Sequence, residues 1–203
     1  VDLDEESYNV FIDIGTILNK KNLFAQSEAY LSQALDCGHP SKNLLMQLGI
    51  SYGGQKKFLQ SLIAFKETLK FSLEDPILHY QIGIIYKELQ IFDLAIENLS
   101  FYLNTNNKDE MTLSLIGNCY LGLNKYKEAI QYFEKIYKLN NNSYNALFNI
   151  GKCYEKSGDL KNAAKFYKNV IKKNPDHVKS RQKLIPIYIE LNKLREARKE
   201  CEI

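Results

Sequence analysis

Three histidines, four cysteines and a lysine-rich carboxy-terminal stretch are the parts of this 203-residue chain whose residue types could do chemistry. His39, His79 and His177 could serve as general bases or metal ligands. They lie far apart, and none has a Ser, Cys or carboxylate at a spacing that builds a nucleophile, base and orienting group. Gly53-Gly54 lacks the lysine that follows in a phosphate-cradling loop. Cys37, Cys119, Cys153 and Cys201 contain no CxxC pair, so a zinc site or redox dithiol has no spacing to support it. No enzyme activity, metal or cofactor is expected. What remains is charge. Residues 1–41 carry two Lys against seven acids, whereas residues 144–203 carry fourteen Lys or Arg against seven acids. The basic end suits an acidic partner. The net charge of +3 is too small to point to nucleic acid.

These residues must be positioned by something, and the chain shows what. Glycine recurs at one constant interval, at Gly15, Gly49, Gly83, Gly117 and Gly151, with Ile185 at the next step. An aliphatic precedes each of the six, at Ile14, Leu48, Ile82, Ile116, Ile150 and Leu184. Tyr52, Tyr86, Tyr120 and Tyr154 occupy one shared place after four of the glycines. A fixed period within the range of about 20–50 residues predicts a helical solenoid. Each unit reads as two amphipathic helices. In the fourth, Leu113, Ile116 and Tyr120 make one apolar stripe and Ala129, Phe133 and Ile136 a second, with a turn at Asn124 between them. A lone pair cannot cover its stripe, so stacked neighbours must.

The glycine is expected where the two helices of a unit cross closely. Ser27, Ser61, Ala95, Ala129, Ala163 and Ala197 meet it from the second helix, which Phe24, Phe58, Phe92, Tyr126, Leu160 and Leu194 open. The predicted organisation is an acidic lead-in over 1–7 and an array over 8–203. Its repeats are 8–41, 42–75, 76–109, 110–143 and 144–177, with a partial or capping unit at 178–203. Cys119 and Cys153 fall at one repeat position, about 8–10 Å apart at helix packing distance, beyond disulfide reach.

The hydrophobic fraction of 45% is that of an ordinary folded chain, and no apolar run is long enough for a membrane span. Direct membrane insertion is therefore not expected. The cytoplasm is the expected compartment. The periplasm stays open because Val1 is no initiator methionine.

The pattern resembles the tetratricopeptide repeat, whose signature is W-x2-L-G-x2-Y…A-x3-F…P. Repeat five carries it at Leu147, Ile150-Gly151, Tyr154, Ala163, Tyr167 and Pro175. The resemblance implies an all-α fold, a right-handed α-solenoid of antiparallel helix pairs. It also implies a scaffold or adaptor that binds a protein or peptide in a concave groove lined by the first helices. Carried over position by position, the groove residues are Asn9, Met46, Ile50, Ile77, Tyr80, Ile84, Met111, Ser114, Leu115, Asn118, Phe148, Asn149, Lys152, Lys179 and Lys183. Ile12, Asn19, Leu121 and Glu155 occupy further groove positions. The middle of this set is apolar and its end amide-rich and basic.

By the same resemblance, Ser114, Asn118, Asn149, Lys179 and Lys183 match a carboxylate-clamp co-chaperone, with Ser where the clamp's first Lys would stand. The other readings are a structural assembly protein that self-associates, as in a bacterial flagellar collar, and the non-catalytic arm of a larger enzyme. Self-association could place the acidic opening, Asp2, Asp4, Glu5 and Glu6, against a neighbour's basic end. A monomer is the expected state.

Some positions depart from the pattern. His79 fills a large apolar slot, as a core-edge histidine with a satisfied nitrogen. Gly53-Gly54 predicts a looser turn in repeat two. Arg181, Ile185 and Pro186 mark repeat six as an atypical terminal unit or a bend.

Overall fold

The computed structural model describes residues 5–37 and 40–201. His39 and, in the acidic lead-in, Asp2 and Asp4 lie outside them. The described residues form twelve helices and no strand. The chain divides into two compact units, Val1–Thr105 and Asn106–Ile203. The first holds α1 (Glu5–Lys20), α2 (Phe24–Cys37), α3 (Lys42–Gly54), α4 (Phe58–Leu69), α5 (Pro76–Glu88) and α6 (Phe92–Thr105). The second holds α7 (Glu110–Gly122), α8 (Tyr126–Leu139), α9 (Tyr144–Lys156), α10 (Leu160–Lys173), α11 (Val178–Glu190) and α12 (Leu194–Cys201). Within each unit every odd-numbered helix packs on the even-numbered helix after it, and that helix packs on the next pair. This is the all-α solenoid class.

Each pair turns by one device. The first helix ends in a residue of positive φ, once per repeat, at Asn22, Lys56, Gln90, Asn124, Gly158 and Asn192. The next N–H folds back across the helix end, as from Leu23 to the Leu18 carbonyl at 2.9 Å and from Lys125 to that of Tyr120 at 2.9 Å. This closure satisfies carbonyls that the helix end would leave unpaired. Glycine or asparagine suits the left-handed residue, and four of the six positions have one. Lys56 and Gln90 do not, and a left-handed conformation costs a residue with a Cβ about 1–2 kcal/mol. Lys56→Gly and Gln90→Gly should each stabilise the fold by about 0.5–1 kcal/mol after glycine's extra chain entropy. A denaturant or thermal melt of the double variant should show its midpoint raised by a few degrees.

The first helices also start by rule. Ser41, Asp75, Asp109, Ser143 and His177 recur with the same period as N-caps. Their side chains accept from backbone N–H groups of Leu44, Ile77, Thr112, Ala146 and Ser180 at 3.0–3.3 Å. Such a cap contributes about 1 kcal/mol. At Asp75 the Lys42 ammonium, 2.8 Å away, and these amides hold the carboxyl below its ordinary pKa despite partial burial.

The repeat glycines sit at close crossings, as their spacing predicts. A Cβ on Gly15, Gly49, Gly83, Gly117 or Gly151 would lie 2.5–2.9 Å from Leu31, Phe65, Leu99, Phe133 or Tyr167 respectively. Each of those five side chains is essentially fully buried. Ser27 and Ser61 donate to the carbonyls of Gly15 and Gly49 at 2.8 and 2.7 Å, so the two hydroxyls are satisfied where later repeats use Ala.

One expectation changes. The turn after Gly53-Gly54 has the same left-handed geometry as the others, and α3 runs through both glycines. Gly54 is a packing residue: a Cβ there would lie 2.4 Å from the Phe24 ring. Pro186 sits inside α11 at an exposed position, and the helix continues past it to Glu190. Arg181, in its apolar slot, ion-pairs with Glu200 at 3.0 Å and donates to the Pro175 carbonyl at 2.8 Å. His79 stands as expected, with its ring nitrogens 2.9 Å from Asn98 Oδ1 and 3.0 Å from the Leu73 carbonyl. All four cysteines are free thiols, and burial pushes Cys153 up to about 12. No helix among the described residues is long and apolar enough to cross a membrane.

Candidate functional site

The first helices carry the groove candidates, and the two units hold them differently. In the first unit, Ile50 of α3 and Ile84 of α5 share a cavity of about 410 Å³. Phe24, Phe58 and Phe65 give it an aromatic wall, and Lys56 and Glu88 join its lining. Gly53 and Gly54 line it too, and their missing side chains leave room for it. Met46 is half-buried on α3, Ile77 and Asn9 are exposed, and Tyr80 is half-buried. The Tyr80 ring lies 4.8 Å from that of Tyr102, so it packs on α6 as well as facing outward.

Two other groove positions of this unit belong to its interior. Ile12 is buried in the cluster of Leu31, Leu44 and Leu48. Asn19 is buried too, and its amide donates to the Gln47 carbonyl at 2.9 Å while its oxygen lies 2.8 Å from Ser51 Oγ. That position pins α1 to α3 and is not available to a ligand.

In the second unit, Met111, Ser114 and Leu115 of α7 meet Asn145 and Asn149 of α9 around a cavity of about 290 Å³. Asn118 is half-buried one turn further along α7. Among the described residues the side-chain amides of Asn118, Asn145 and Asn149 have no protein hydrogen-bond partner. Asn19, Asn98 and Asn162 elsewhere are all bonded. Leu121 is buried, which removes it from the groove set.

Phe148 is half-buried, with its ring 5.3 Å from Tyr167 and 5.2 Å from His177. It is part of the packing of α9 on α10 as much as of any groove.

The cations separate in the same way. Lys183 of α11 pairs with Glu155 of α9 at 2.8 Å, and Glu155 also accepts from the Tyr167 hydroxyl. Tyr167 is fully buried, and burial followed by the Glu155 carboxylate drives its pKa upward. Lys183 is therefore already engaged by a carboxylate of the protein itself. Lys152 is half-buried and Lys179 exposed, and neither has an ion-pair partner among the described residues. The chemistry available here is recognition: amides that donate and accept, ammonium groups that attract carboxylates, and an apolar slot.

Sequence reasoning placed Lys183 and Glu155 in one groove without pairing them. Their spacing links position 6 of repeat six to position 12 of repeat five, a cross-repeat pair that single-helix patterns do not reveal. The caps at 41, 75, 109, 143 and 177, by contrast, were readable, as Ser, Asp and His recurring with the period of the glycines.

Stacked helix pairs of this kind define the class of helical-repeat solenoids. The tetratricopeptide repeat model matches residues 111–143 and, separately, residues 144–177. Residues 111–177 are therefore two tetratricopeptide repeats. Among solved structures it is similar to a tetratricopeptide repeat protein from Parabacteroides merdae ATCC 43184, at 22% identity and a TM-score of 0.80, over 97% of this chain and 78% of that one. It is also similar to MamA, residue 41 to the end, from Desulfovibrio magneticus RS-1, at 17% identity and a TM-score of 0.76, over 87% and 99%. A third likeness is to YrrB, described as a tetratricopeptide repeat protein with an unusual peptide-binding site, at 20% identity and a TM-score of 0.73, over 84% and 88%. At these identities the likeness is one of fold. No curated protein matches the chain. Repeats of this family generally act as non-catalytic scaffolds that bind proteins or peptides.

Proposed function

We propose that this chain is a non-catalytic scaffold whose first-helix faces hold a segment of another protein, with apolar side chains and carboxylates in that segment. One observation carries the reading. In the second unit, the unbonded side-chain amides of Asn145 and Asn149 line a cavity with Met111, Leu115 and Glu110, and the ammonium groups of Lys152 and Lys179, unpaired among the described residues, lie further along α9 and on α11. No buried side-chain polar atom among the described residues lacks a partner, so these amides reach water, and a ligand's donors and acceptors could take the water's place. The apolar cavity in the first unit would take hydrophobic side chains. We read the repeat boundaries as 42, 76, 110, 144 and 178, the protein as a monomer, and its ligand as protein or peptide, not nucleic acid.

A clamp for a terminal carboxylate is the less favoured variant. Lys183 would have to leave Glu155 to serve it, and Ser114 stands where its first lysine should be.

The test is affinity capture with wild type and with Leu115→Asp, read by mass spectrometry. Leu115 is half-buried at the cavity, so the change places a charge where the ligand's apolar part would sit. Partners retained by wild type should fall at least about tenfold, since an unpaired charge desolvated by a ligand costs more than the roughly 1.4 kcal/mol that tenfold represents. Unchanged capture by a variant with wild-type helicity would overturn the groove reading.

A further inference from the structure

His177 stands apart from the other caps. Ser41, Asp75, Asp109 and Ser143 use side-chain oxygens, which accept hydrogen bonds at any pH near neutrality. His177 uses a ring nitrogen. Its Nδ1 lies 3.2 Å from the Ser180 backbone nitrogen and 2.8 Å from the Ser180 hydroxyl oxygen. Ser180 is fully buried, so neither group can turn to water. The ring packs against Phe148 at 5.2 Å and Tyr144 at 5.7 Å, which fixes its direction.

We propose that His177 is a proton-sensitive latch on α11: the neutral ring fastens the first turn of the helix, and the protonated ring releases it.

The reasoning is one of donors and acceptors. A neutral imidazole offers one acceptor nitrogen, and here Nδ1 must be that nitrogen because a backbone N–H points at it. Protonation turns Nδ1 into a donor. The Ser180 hydroxyl could rotate to accept from it, but the Ser180 N–H cannot, and two N–H groups then face each other. That N–H keeps its 3.0 Å contact with the His177 carbonyl, so the first turn loosens and does not dissolve. The imidazolium would also sit at the positive end of the helix dipole.

The groups around the ring oppose its charging on balance, against a smaller pull from the His177 backbone carbonyl, which favours it. From α9 it is faced by Tyr144 and Phe148, both uncharged. From its own helix it is faced by the Lys179 ammonium. Burial first, and Lys179 second, hold the ring below its ordinary value of 6.5. A base whose pKa is lowered by folding adds stability above its unfolded value. That contribution is lost as pH falls through the lower, folded value. The window therefore opens below 6.5 and extends downward. The latch is independent of the groove reading and stands even if no ligand is found. If there is a groove ligand, the helix released is the one that carries Lys179 and Lys183.

The experiment follows the Ser180 amide by hydrogen exchange from pH 7.5 to pH 5.0, corrected for the intrinsic rate, in wild type and in His177→Asn. Asparagine keeps a side-chain acceptor that does not titrate in this range. Wild-type protection should fall about fivefold across the range, the equivalent of losing a typical N-cap. His177→Asn should stay flat. A parallel loss in both would overturn the latch. So would an NMR titration of the wild-type His177 ring with a midpoint at or above 6.5, a measurement that needs no variant.

Discussion

Gly117→Leu should destabilise the fourth repeat by about 3 kcal/mol, the upper part of the usual range for overpacking. The first added carbon already lies 2.8 Å from Cζ of Phe133. Phe133 is fully buried, between α7 and the helices stacked on it, so it has no solvent side to move toward. Leucine then adds three more carbons in the same direction. Burial of the phenyl ring is itself worth about 1.5–3 kcal/mol, and displacing it forfeits part of that. For a chain of this size each kcal/mol moves a thermal midpoint by roughly 2–4 °C, so the melt should shift down by about 6–12 °C. Gly53→Ala is the matched control. Its Cβ would meet Ser61 Oγ at 3.3 Å and Ile85 at 3.4 Å, contacts a small adjustment relieves. Glycine in a helix costs about 1 kcal/mol against alanine, so this change should leave stability level or raise it. If both substitutions gave the same small effect, Gly117 would not be at a helix contact. Nearest-neighbour stability in a repeat array makes the loss local first. Exchange at Ile116 and Phe133 should therefore report it before circular dichroism does.

The fold was legible because its signal is periodic and steric. A recurring glycine, followed at a constant offset by an aromatic or leucine, is a statement about helix crossings. The structure places Gly117 on Phe133 and Gly151 on Tyr167 accordingly. The turn at Asn124 was readable for the same reason: a left-handed residue favours asparagine. Gly53-Gly54 misled because propensity treats glycine as looseness. Here the missing side chain at Gly54 makes room for Phe24, which comes from another repeat.

The site was less legible. Position alone put Ile12, Asn19 and Leu121 on the groove face, yet all three are buried, because a neighbouring helix covers part of each first-helix face. Charge alone ranked Lys183 with Lys179. Only the fold brings Glu155 to one of them and not the other. Phe148 reads as a free aromatic in sequence, but its neighbours Tyr167 and His177 come from elements further along the chain.

That difference between lysines leads to the last prediction. Lys152→Glu with Lys179→Glu should weaken capture of the proposed acidic ligand by about tenfold or more at low salt. Each reversal removes one attraction and adds one repulsion. Exposed pairs are worth about 0.2–1 kcal/mol each, so four such terms reach roughly 1–4 kcal/mol. Tenfold corresponds to about 1.4 kcal/mol, inside that range. The net charge changes from +3 by −2 for each substitution, giving −1. Raising ionic strength should narrow the gap between wild type and variant, since at 0.15 M charges separated by more than about 8 Å are largely screened. Lys183→Ala makes the informative comparison. It removes no free cation but strips Glu155 of its 2.8 Å partner, leaving a carboxylate held only by the buried Tyr167 hydroxyl. An acidic ligand should then be repelled, and the fold should also lose part of the α9–α11 tie. Affinity measured by fluorescence polarisation against a captured partner peptide, at two salt concentrations, separates the cases. Equal affinity and an equal salt slope for wild type and the Lys152/Lys179 double variant would place the ligand's charge elsewhere. A double variant that binds more tightly would mean that the groove selects basic segments, with Glu155 as its anchor.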